Sequence, residues 1–374
     1  MRKVVSLVLA ALLMVTLFPL GIFASALATS GDDVIVDPVV LQELGDNLRK
    51  GLLRDAKKTS ASAELVDLGG GVVLSKRAYE GVEALENNVK VVVELSGPSF
   101  FESGAKDLKQ FKEKAAQAHS KALQEVKTAL PNFEKQHDLY ATINGFTGLI
   151  SLDELKSLLS MAGKGSISHV YVSDVYQISA IEDPASYIYY EDMKGIGVTP
   201  DMVNSAPLIG APEAWDLGYT GSGTYVAVID TGIDYTHENF GGYSSFPNEK
   251  IPYGYDFADG DNDPMDHNGH GTHVAGTVAG IGKAKFQDKD GNWVSLKGIA
   301  PDAKLIVAKV FADDSPYAYT ADIVAAIEYL IKLKVEDGVN IVAANMSLGS
   351  DKGFDAPTEP EQKAIKNAYE AGIT

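Results

Sequence analysis

The sequence predicts an α/β protein: a doubly wound, mostly parallel sheet in the C-terminal part, preceded by a small α+β domain. Residues 224–230, 304–311 and 340–347 are near-continuous apolar segments, which are typical of parallel strands covered on both faces. Segments with a helical spacing of apolar residues lie between them. Upstream, residues 89–180 alternate strand-like and helix-like segments, which is typical of a split β-α-β domain.

The composition limits the class of protein. With 374 residues, of which 45% are hydrophobic and 22% charged, the chain has enough apolar material for more than one domain. The net charge of −19 argues against a nucleic-acid partner. Because there is no cysteine, disulfides, thiolate catalysis and cysteine-based zinc sites are excluded.

The N-terminus has the pattern of an export signal. Two basic residues precede an apolar run over residues 4–23, and the alanines that follow fit a small-residue cleavage site. We therefore expect residues 1–28 to be a signal peptide and the protein to be secreted, to the extracellular space or the cell envelope. The alternative is an uncleaved membrane anchor, because the run is about long enough to span a bilayer. Pro19 and Gly21 near its end favour the signal peptide.

Residues 29–88 are predicted to be a leader segment and residues 182–205 a linker, because both have weak periodicity. Between them, residues 89–181 are predicted to form the α+β domain. Its expected strands are residues 89–96, 139–150 and 169–180, and the second of them has a turn or bulge at Asn144 and Gly145. Its expected helices are residues 106–130 and a helix capped by Ser151, with Glu154 at the capping-box position. No residue of this domain stands out as catalytic.

Residues 206–374 are predicted to form the α/β domain, whose first strand ends at Asp230. A carboxylate at the carboxyl end of a buried strand lies where α/β sheets place functional groups, although a turn or N-cap aspartate would show the same pattern. A helix is predicted at residues 321–334, with Thr320 as N-cap and Gly338 beyond its end. Another helix is predicted to start at a capping box of Thr358 and Glu361 and to run to about Ala371. Ile373 and Thr374 are then expected to begin another strand.

Three of the seven histidines, His267, His270 and His273, lie in the stretch DHNGHGTHVAGT. The helix predicted to follow places His270 at its N-terminus, where the helix dipole disfavours the imidazolium. Three interpretations stay open on these residues alone. His270 can be a catalytic base that needs an orienting carboxylate such as Asp230. The histidines can form a metal site with Asp266, or the stretch can be an ordinary polar loop.

Four motifs in a fixed order carry a resemblance to a known family: VAVIDTGID, NGHGTHVAGTVAG, GIAPDAKLIVAKVF and NMSLGS, within residues 205–374. With their order of aspartate before histidine, they resemble the subtilisin-like serine proteases, the subtilases. The segments INGFTGLIS and ISHVYVSDVYQI are similar, more weakly, to the inhibitory propeptide of that family. The segment SAPLIGAPEAWDLGYTGSG is similar to its larger secreted, cell-envelope-type members. The resemblance implies a subtilisin-like α/β fold and hydrolysis of peptide bonds.

The resemblance also implies roles for the residues that match the motifs. Asp230 corresponds to the triad aspartate, which orients the imidazole and offsets the charge that it gains. His270 corresponds to the triad base, which takes the proton of the nucleophile and returns it to the leaving amine. In this interpretation His273 is a buried supporting residue and His267 is exposed.

Ser347, Leu348 and Gly349 match the strand edge whose backbone pairs with an extended substrate in this family. The implied partners are protein or peptide substrates and the chain's own propeptide domain, with no nucleic acid and no stable membrane partner. The chemistry that the resemblance implies requires no cofactor.

Structural calcium is a further expectation from the resemblance, without a confident metal site. Where many relatives carry a calcium-binding aspartate, this chain has Asn239, whose neutral amide oxygen is a weaker ligand. Two acidic loops are either calcium ligands or solvated: Asp256, Asp259, Asp261, Asp263 and Asp266 in the first, and Asp288, Asp290 and Asn292 in the second.

The resemblance places the serine nucleophile in a G-T-S turn after the histidine, together with an asparagine that stabilises the oxyanion. No G-T-S motif occurs in the 374 residues. We therefore expect the N-terminal portion of a secreted serine endopeptidase, inactive as given. Two alternatives belong to other classes: a propeptide-type inhibitory or binding fragment formed by residues 89–180, and a metal-binding protein that uses the three histidines.

Overall fold

The structure is a computed structural model that describes residues 65–69, 72–178, 202–287, 293–349 and 359–374. The predicted signal peptide, most of the predicted leader and linker, and the acidic loop at residues 288–292 lie outside the described residues. All described residues belong to one compact unit, Glu64–Thr374. Among them, no helix combines the length and the apolar character needed to cross a membrane.

The first part of this unit is an α+β domain. It begins with a short hairpin and a helix at the end of the predicted leader: β1 (Leu65–Asp67), β2 (Val73–Ser75) and α1 (Lys76–Ala84). The elements that follow are β3 (Asn88–Leu95), α2 (Leu108–Ala129), β4 (Glu134–Leu139), β5 (Gly145–Ser151), α3 (Leu152–Leu159) and β6 (Ile167–Val172). The strands β3 to β6 form an antiparallel sheet in the order β4-β5-β3-β6. The split β-α-β arrangement is therefore confirmed.

Two details of this domain differ from the prediction. The strand expected over residues 139–150 is two strands of a hairpin, because the chain turns between Leu139 and Gly145. A side chain at Gly145 would approach the carbonyl oxygen of Val93 to 2.0 Å, so β5 can start against β3 only with glycine there. At the start of α3, the hydroxyl of Ser151 donates to Glu154 at 2.9 Å instead of accepting a backbone N–H, so the capping box is not formed.

The second part of the unit is an α/β domain. Its helices are α4 (Met202–Leu208), α5 (Ala211–Asp216), α6 (His270–Ala279), α7 (Thr320–Val335) and α8 (Pro360–Glu370). Its strands are β8 (Tyr225–Asp230), β9 (Tyr253–Asp256), β10 (Ile281–Gln287), β11 (Trp293–Lys297), β12 (Lys304–Lys309), β13 (Ala318–Tyr319), β14 (Ile341–Met346) and β15 (Leu348–Gly349). Residues 202–205 of the predicted linker are thus helical.

The strands of the α/β domain form a parallel sheet in the order β14-β8-β12-β9, as predicted. Alternate residues of β8 and β12 face opposite layers. Ala227 and Ile306 pack into the layer of α7 and α8, whereas Val228 and Leu305 pack into the layer of α6. Both faces of β8 and β12 are therefore covered, which explains their near-continuous apolar sequences. In β14 only Ile341 is buried and Val342 is exposed, so the predicted burial of this strand is only partly confirmed.

The helix ends differ from the predicted caps. Helix α7 begins at Thr320 with Tyr319 as N-cap, because Tyr319 still belongs to β13, and no side chain caps it. Helix α8 has Glu359 as N-cap, again without a side-chain hydrogen bond, and Thr358 lies outside the described residues. Beyond α8, the N–H of Thr374 donates to the carbonyl of Val342 in β14 at 3.1 Å, although Ile373 and Thr374, which were predicted to begin a strand, are not assigned to one.

The strand expected at residues 169–180 also divides. Beyond β6, the chain forms β7 (Val175–Ile178), which leaves the sheet of the α+β domain. It lies between β13 and β15 of the α/β domain and pairs antiparallel with both. The two domains therefore share a three-stranded sheet.

The α+β sheet also packs directly on helices α7 and α8. Val92 and Leu139 of the sheet and Ile143 of the β4–β5 loop share one hydrophobic core with Val324 and Ile327 of α7. Because all of these side chains are buried, the two domains bury apolar surface against each other in addition to the strand pairing.

Candidate active site

The candidate site lies at the carboxyl end of β8. Asp230 is the last residue of this strand and is fully buried. His270 is the first residue of α6, and only 7% of it is exposed. Nδ1 of His270 lies 2.7 Å from Oδ1 of Asp230. Since an ionised carboxylate only accepts hydrogen bonds, Nδ1 carries a proton, and in the neutral form of the ring Nε2 is the nitrogen that can accept one.

The carboxylate of Asp230 is only partly satisfied by other groups. Its Oδ1 accepts a second hydrogen bond from the backbone N–H of Thr231 at 2.7 Å. Its Oδ2 is buried and has no hydrogen-bond partner among the described residues. A buried carboxylate in this state gains from a positive charge next to it, so the site favours the imidazolium of His270.

The pKa of His270 is raised above its ordinary value of 6.5. The hydrogen bond to Asp230 is the largest cause; burial of the ring opposes it, and the charges of Asp230 and Asp266 add to the rise. The expectation that the helix N-terminus keeps this ring neutral is therefore wrong in direction. A direct contact with a carboxylate outweighs the partial charge of the helix end.

Asp266 anchors the start of α6, a role that was not predicted from the sequence, since the residue was predicted only as a possible metal ligand. Its Oδ1 accepts hydrogen bonds at 2.9 Å from the hydroxyl of Thr231 and from the N–H groups of Asn268 and Gly269. Its Oδ2 accepts from the N–H and hydroxyl of Thr272. Burial opposes its ionisation, but these hydrogen bonds, first that of Thr272, lower the pKa of Asp266. An aspartate shortly before a helix start is the signal that could have shown this.

Two glycines bring the end of β8 against the start of α6. A side chain at Gly271 would approach the carbonyl oxygen of Gly232 to 2.3 Å, and Gly232 itself has a φ of 116°. The hydroxyl of Thr231 accepts the N–H of Gly271 at 2.8 Å across this contact. This close backbone approach, which only glycine permits, sets the distance between Asp230 and His270.

The other two histidines of the stretch lie apart from the pair. His267 is exposed, as predicted, with Nε2 3.5 Å from Asp313. His273 is exposed too, and its predicted burial is wrong, because the buried face of α6 is formed by residues at i and i+4 such as Gly271 and Ala275. Within the described ranges, no group of metal-ligand spacing contains a histidine. The three-histidine metal site therefore has no support in the geometry.

The first acidic loop surrounds a lysine. Asp256, Asp259 and Asp313 are close enough together to hold a metal ion. However, Nζ of Lys309 lies 2.9 Å from Asp256, 3.4 Å from Asp259 and 2.9 Å from Asp313, and it donates to the carbonyl of Phe311 at 2.7 Å. Because this buried ammonium already occupies the centre of the three carboxylates, the residues do not fit a calcium ion there.

Asn239 does not fit a calcium ion either. Its Nδ2 donates to the carbonyl of Leu296 at 2.8 Å, and its Oδ1 accepts the N–H of Ala284 at 3.1 Å. Both ends of the amide thus hold the β10–β11 hairpin. The side-chain amide of Asn239 therefore connects the two strands of this hairpin at the position that was considered for calcium.

The predicted substrate-binding segment is an edge that already holds a strand. Leu348 and Gly349 form β15, opposite Ile178 and Gln177 of β7, and Ser347 precedes them. Ile178, the last residue of β7, lines a cavity together with Thr231, the residue after Asp230. This small cavity is also lined by Asn268, Phe311 and Pro316, among others.

Comparisons with known proteins show which family this part of the chain resembles. The sequence model of the subtilase family matches residues 221–374. These residues are a subtilase domain. Over 331 residues the chain is 33% identical to the minor extracellular protease Vpr of Bacillus subtilis, which corresponds to 85% of this chain and 35% of that protein. It is 27% identical over 377 residues to the PII-type proteinase of Lactococcus lactis, which covers 88% of this chain and 18% of that protein.

Among solved structures, fervidolysin from Fervidobacterium pennivorans, a keratinolytic enzyme related to subtilisin, aligns with a TM-score of 0.45 at 19% identity. The alignment covers 77% of this chain and 39% of that one. The chain thus spans about a third of the length of Vpr and less than a fifth of the lactococcal proteinase.

Proposed function

We propose that the chain carries the aspartate and the histidine of a subtilisin-like serine endopeptidase. The hydrogen bond of 2.7 Å between Nδ1 of His270 and buried Asp230, at the carboxyl end of a parallel strand, is the observation that carries this proposal. The subtilase match of residues 221–374 supports it independently.

In the proposed mechanism, His270 is the general base. Nε2 takes the proton of a serine hydroxyl while that oxygen attacks the peptide carbonyl, and then returns the proton to the leaving amine. Asp230 keeps the ring in the tautomer that leaves Nε2 free, and its negative charge stabilises the imidazolium that forms in between. The raised pKa of His270 is consistent with this second role.

In the same proposal, protein and peptide substrates bind as extended strands along Ser347, Leu348 and Gly349. Main-chain hydrogen bonds to this edge would supply affinity, and pockets for alternate side chains would supply specificity. The antiparallel pairing of β7 on β15 supports this part of the proposal, because it is the contact that an added strand would make. The family resemblance and the apolar N-terminus support secretion of the protein.

The 374-residue chain by itself is expected to hydrolyse casein or a peptide anilide at a rate near the buffer background. The physical reason is that the base has no serine in a G-T-S turn to deprotonate within these residues. The measurement compares the purified chain with the product of the complete gene. Turnover by the 374-residue chain that a serine-directed inhibitor abolishes would contradict the proposed lack of a nucleophile.

A second candidate function is inhibition by the α+β domain, and the contacts of Glu328 favour it. This carboxylate on α7 accepts hydrogen bonds from the N–H groups of Tyr140, Ala141 and Thr142 and from the hydroxyl of Thr142, at 2.7 to 3.0 Å. It thereby binds the β4–β5 loop while β7 occupies the strand edge. In this second proposal, a domain held in this way keeps other strands from pairing with β15.

Replacing Glu328 by glutamine is expected to loosen this docking. The amide presents hydrogens to N–H groups that now meet a carboxylate, so amide exchange at Ala141 and Thr142 should accelerate by about tenfold to a hundredfold. Hydrogen–deuterium exchange of the full chain measures this. Glu370→Gln is the matched control, because Glu370 pairs with Lys366 on the exposed surface of α8 and contributes little. Unchanged exchange in the loop would contradict the docking role.

A further inference from the structure

Two side chains of β7 face the subtilase domain and indicate which side chains its strand edge can bind. Tyr176 lies opposite Ala318 of β13, and Ile178 lies opposite Leu348 of β15. Both pack on the core of the α/β domain, whereas Gln177 between them is exposed. This alternation of contacting and exposed side chains is typical of a bound strand, in which the side chains at i and i+2 contact the surface beneath it.

The hydroxyl of Tyr176 reaches a buried carboxylate. It donates a hydrogen bond to Oε1 of Glu361, in the first turn of α8. Glu361 is only 9% exposed, and no ion pair of Glu361 is found among the described residues. A carboxylate in such a place is costly unless a donor meets it. The hydroxyl of Tyr176 is that donor.

The rest of the ring is held by groups of the α+β domain. The guanidinium of Arg77 lies 5.5 Å from the centre of the Tyr176 ring, and Asp174 holds Arg77 at 2.7 Å. Burial, and then the charge and the hydrogen bond of Glu361, raise the pKa of Tyr176, so the hydroxyl stays a donor at neutral and alkaline pH. On the side of the subtilase domain, Glu361 is the charged group that contacts the hydroxyl.

We propose that Glu361 is a specificity-determining residue of the subtilase domain, which selects a tyrosine at the substrate position opposite Ala318. This inference rests on the proposed function, since it treats β7 as a stand-in for an extended substrate. The substrate class is therefore a peptide segment with tyrosine at that position and an aliphatic residue two positions later, as in Tyr176-Gln177-Ile178 of the chain itself.

The expected discrimination is against phenylalanine. Phenylalanine fills the same space but leaves the carboxylate of Glu361 without its donor. The loss of a hydrogen bond to a charged group lowers a binding constant by about tenfold to a hundredfold. A site built to bind a hydroxyl rejects the analogue that lacks it more strongly than an apolar pocket rejects a hydroxyl.

The first test measures how tightly the full chain holds its own β7. Hydrogen–deuterium exchange of residues 175–178 is compared in Tyr176→Phe, Glu361→Leu and the double variant. We expect Tyr176→Phe to accelerate exchange about tenfold or more when Glu361 is present, and to slow it or leave it unchanged when residue 361 is leucine. Glu361→Gln keeps an acceptor oxygen and should retain part of the preference for tyrosine, even if the leucine variant folds poorly.

Tyr235→Phe is the matched control, because Tyr235 donates to Asp263 at 3.1 Å on another part of the α/β domain. It should leave the exchange of β7 unchanged. Equal exchange in the tyrosine and phenylalanine chains, or the same loss with and without Glu361, would overturn the proposal.

The second test uses the product of the complete gene and peptides that differ only by tyrosine or phenylalanine at this position. We expect kcat/KM to favour tyrosine by about tenfold or more, and Glu361→Leu to remove the preference. Turnover without such a preference overturns the role of Glu361. A complete absence of turnover overturns the proposed function instead, and the exchange experiment then decides the role of Glu361 alone.

Discussion

Replacing His270 by alanine in the product of the complete gene should lower kcat/KM for casein or a peptide anilide by about ten-thousandfold. The proposed mechanism has no other base that can accept the proton of the serine and return it to the amine. Asp230→Asn should cost nearly as much, because an amide can hold the imidazole in the wrong tautomer and cannot offset its charge. Steady-state kinetics at several substrate concentrations measures both effects.

The role of Asp230 can also be followed in the 374-residue chain, without any turnover. Asp230→Asn removes the largest cause of the raised pKa of His270, so this pKa should fall, and the imidazolium should be lost at a lower pH than in the unmodified chain. NMR titration of the His270 ring reports this directly. A pKa that does not move would contradict the assignment of Asp230 as the partner that stabilises the imidazolium.

His273→Ala is the matched control for the kinetic experiment. This histidine lies on the same helix, three residues from His270, but its ring is exposed. We expect its removal to leave kcat/KM unchanged. Equal losses on substitution of His270 and His273 would indicate general damage to α6 and would contradict a specific role of His270.

Lys90→Met should destabilise the full chain by about 3 to 5 kcal/mol at neutral pH. Nζ of Lys90 lies 2.7 Å from Oδ2 of Asp322, and both side chains are buried where β3 meets the start of α7. Oδ1 of Asp322 is already buried without a hydrogen-bond partner among the described residues. Removing the lysine therefore leaves a buried carboxylate with no compensating charge. Urea unfolding followed by circular dichroism measures the loss.

The destabilisation should depend on pH in a defined direction. Burial is the main cause that raises the pKa of Asp322 to about 6, against an ordinary value of 3.8 in the unfolded chain. Between these values the folded state holds more protons, so the free energy of unfolding from this group falls as pH rises. Lys90→Met removes a charge that lowers this pKa and so extends the fall to higher pH. The variant should be closer to the unmodified chain at about pH 5 than at about pH 8.

A double variant separates the charge from the packing. Lys90→Met combined with Asp322→Leu replaces the ion pair by apolar groups, which is often neutral or stabilising, so most of the lost stability should return. A loss in Lys90→Met that is equal at both pH values, and that the double variant does not reverse, would contradict a buried-charge explanation.

The parts of the fold that local patterns encode could be predicted from the sequence. The apolar runs of β8 and β12 predict buried parallel strands because each residue of such a strand faces a covered surface. Local patterns also indicated that Asp230 ends a strand and that His270 starts a helix, but these residues alone left a catalytic base, a metal site and a polar loop open. The roles proposed for the two residues come from the resemblance of the motifs to those of the subtilases.

Other features were decided by contacts that no local pattern contains. The acidic loop that could have held calcium instead surrounds Lys309, which reaches it from the end of β12. His273 has the residue type and the spacing of a supporting histidine, yet it is exposed because the helix turns its other face to the sheet. The last strand of the α+β domain continues into β7, whose partners are strands of the other domain.

The sequence by itself therefore determined the fold class and several of its strands and helices, and it indicated the aspartate and histidine of the proposed site. The tertiary structure alone decided which residues meet across the two domains. Tyr176 and Glu361 are 185 positions apart, and Lys90 and Asp322 are 232 positions apart. The physical reason is that periodicity records the environment of neighbouring residues, whereas a buried polar group finds its partner only when distant segments pack together.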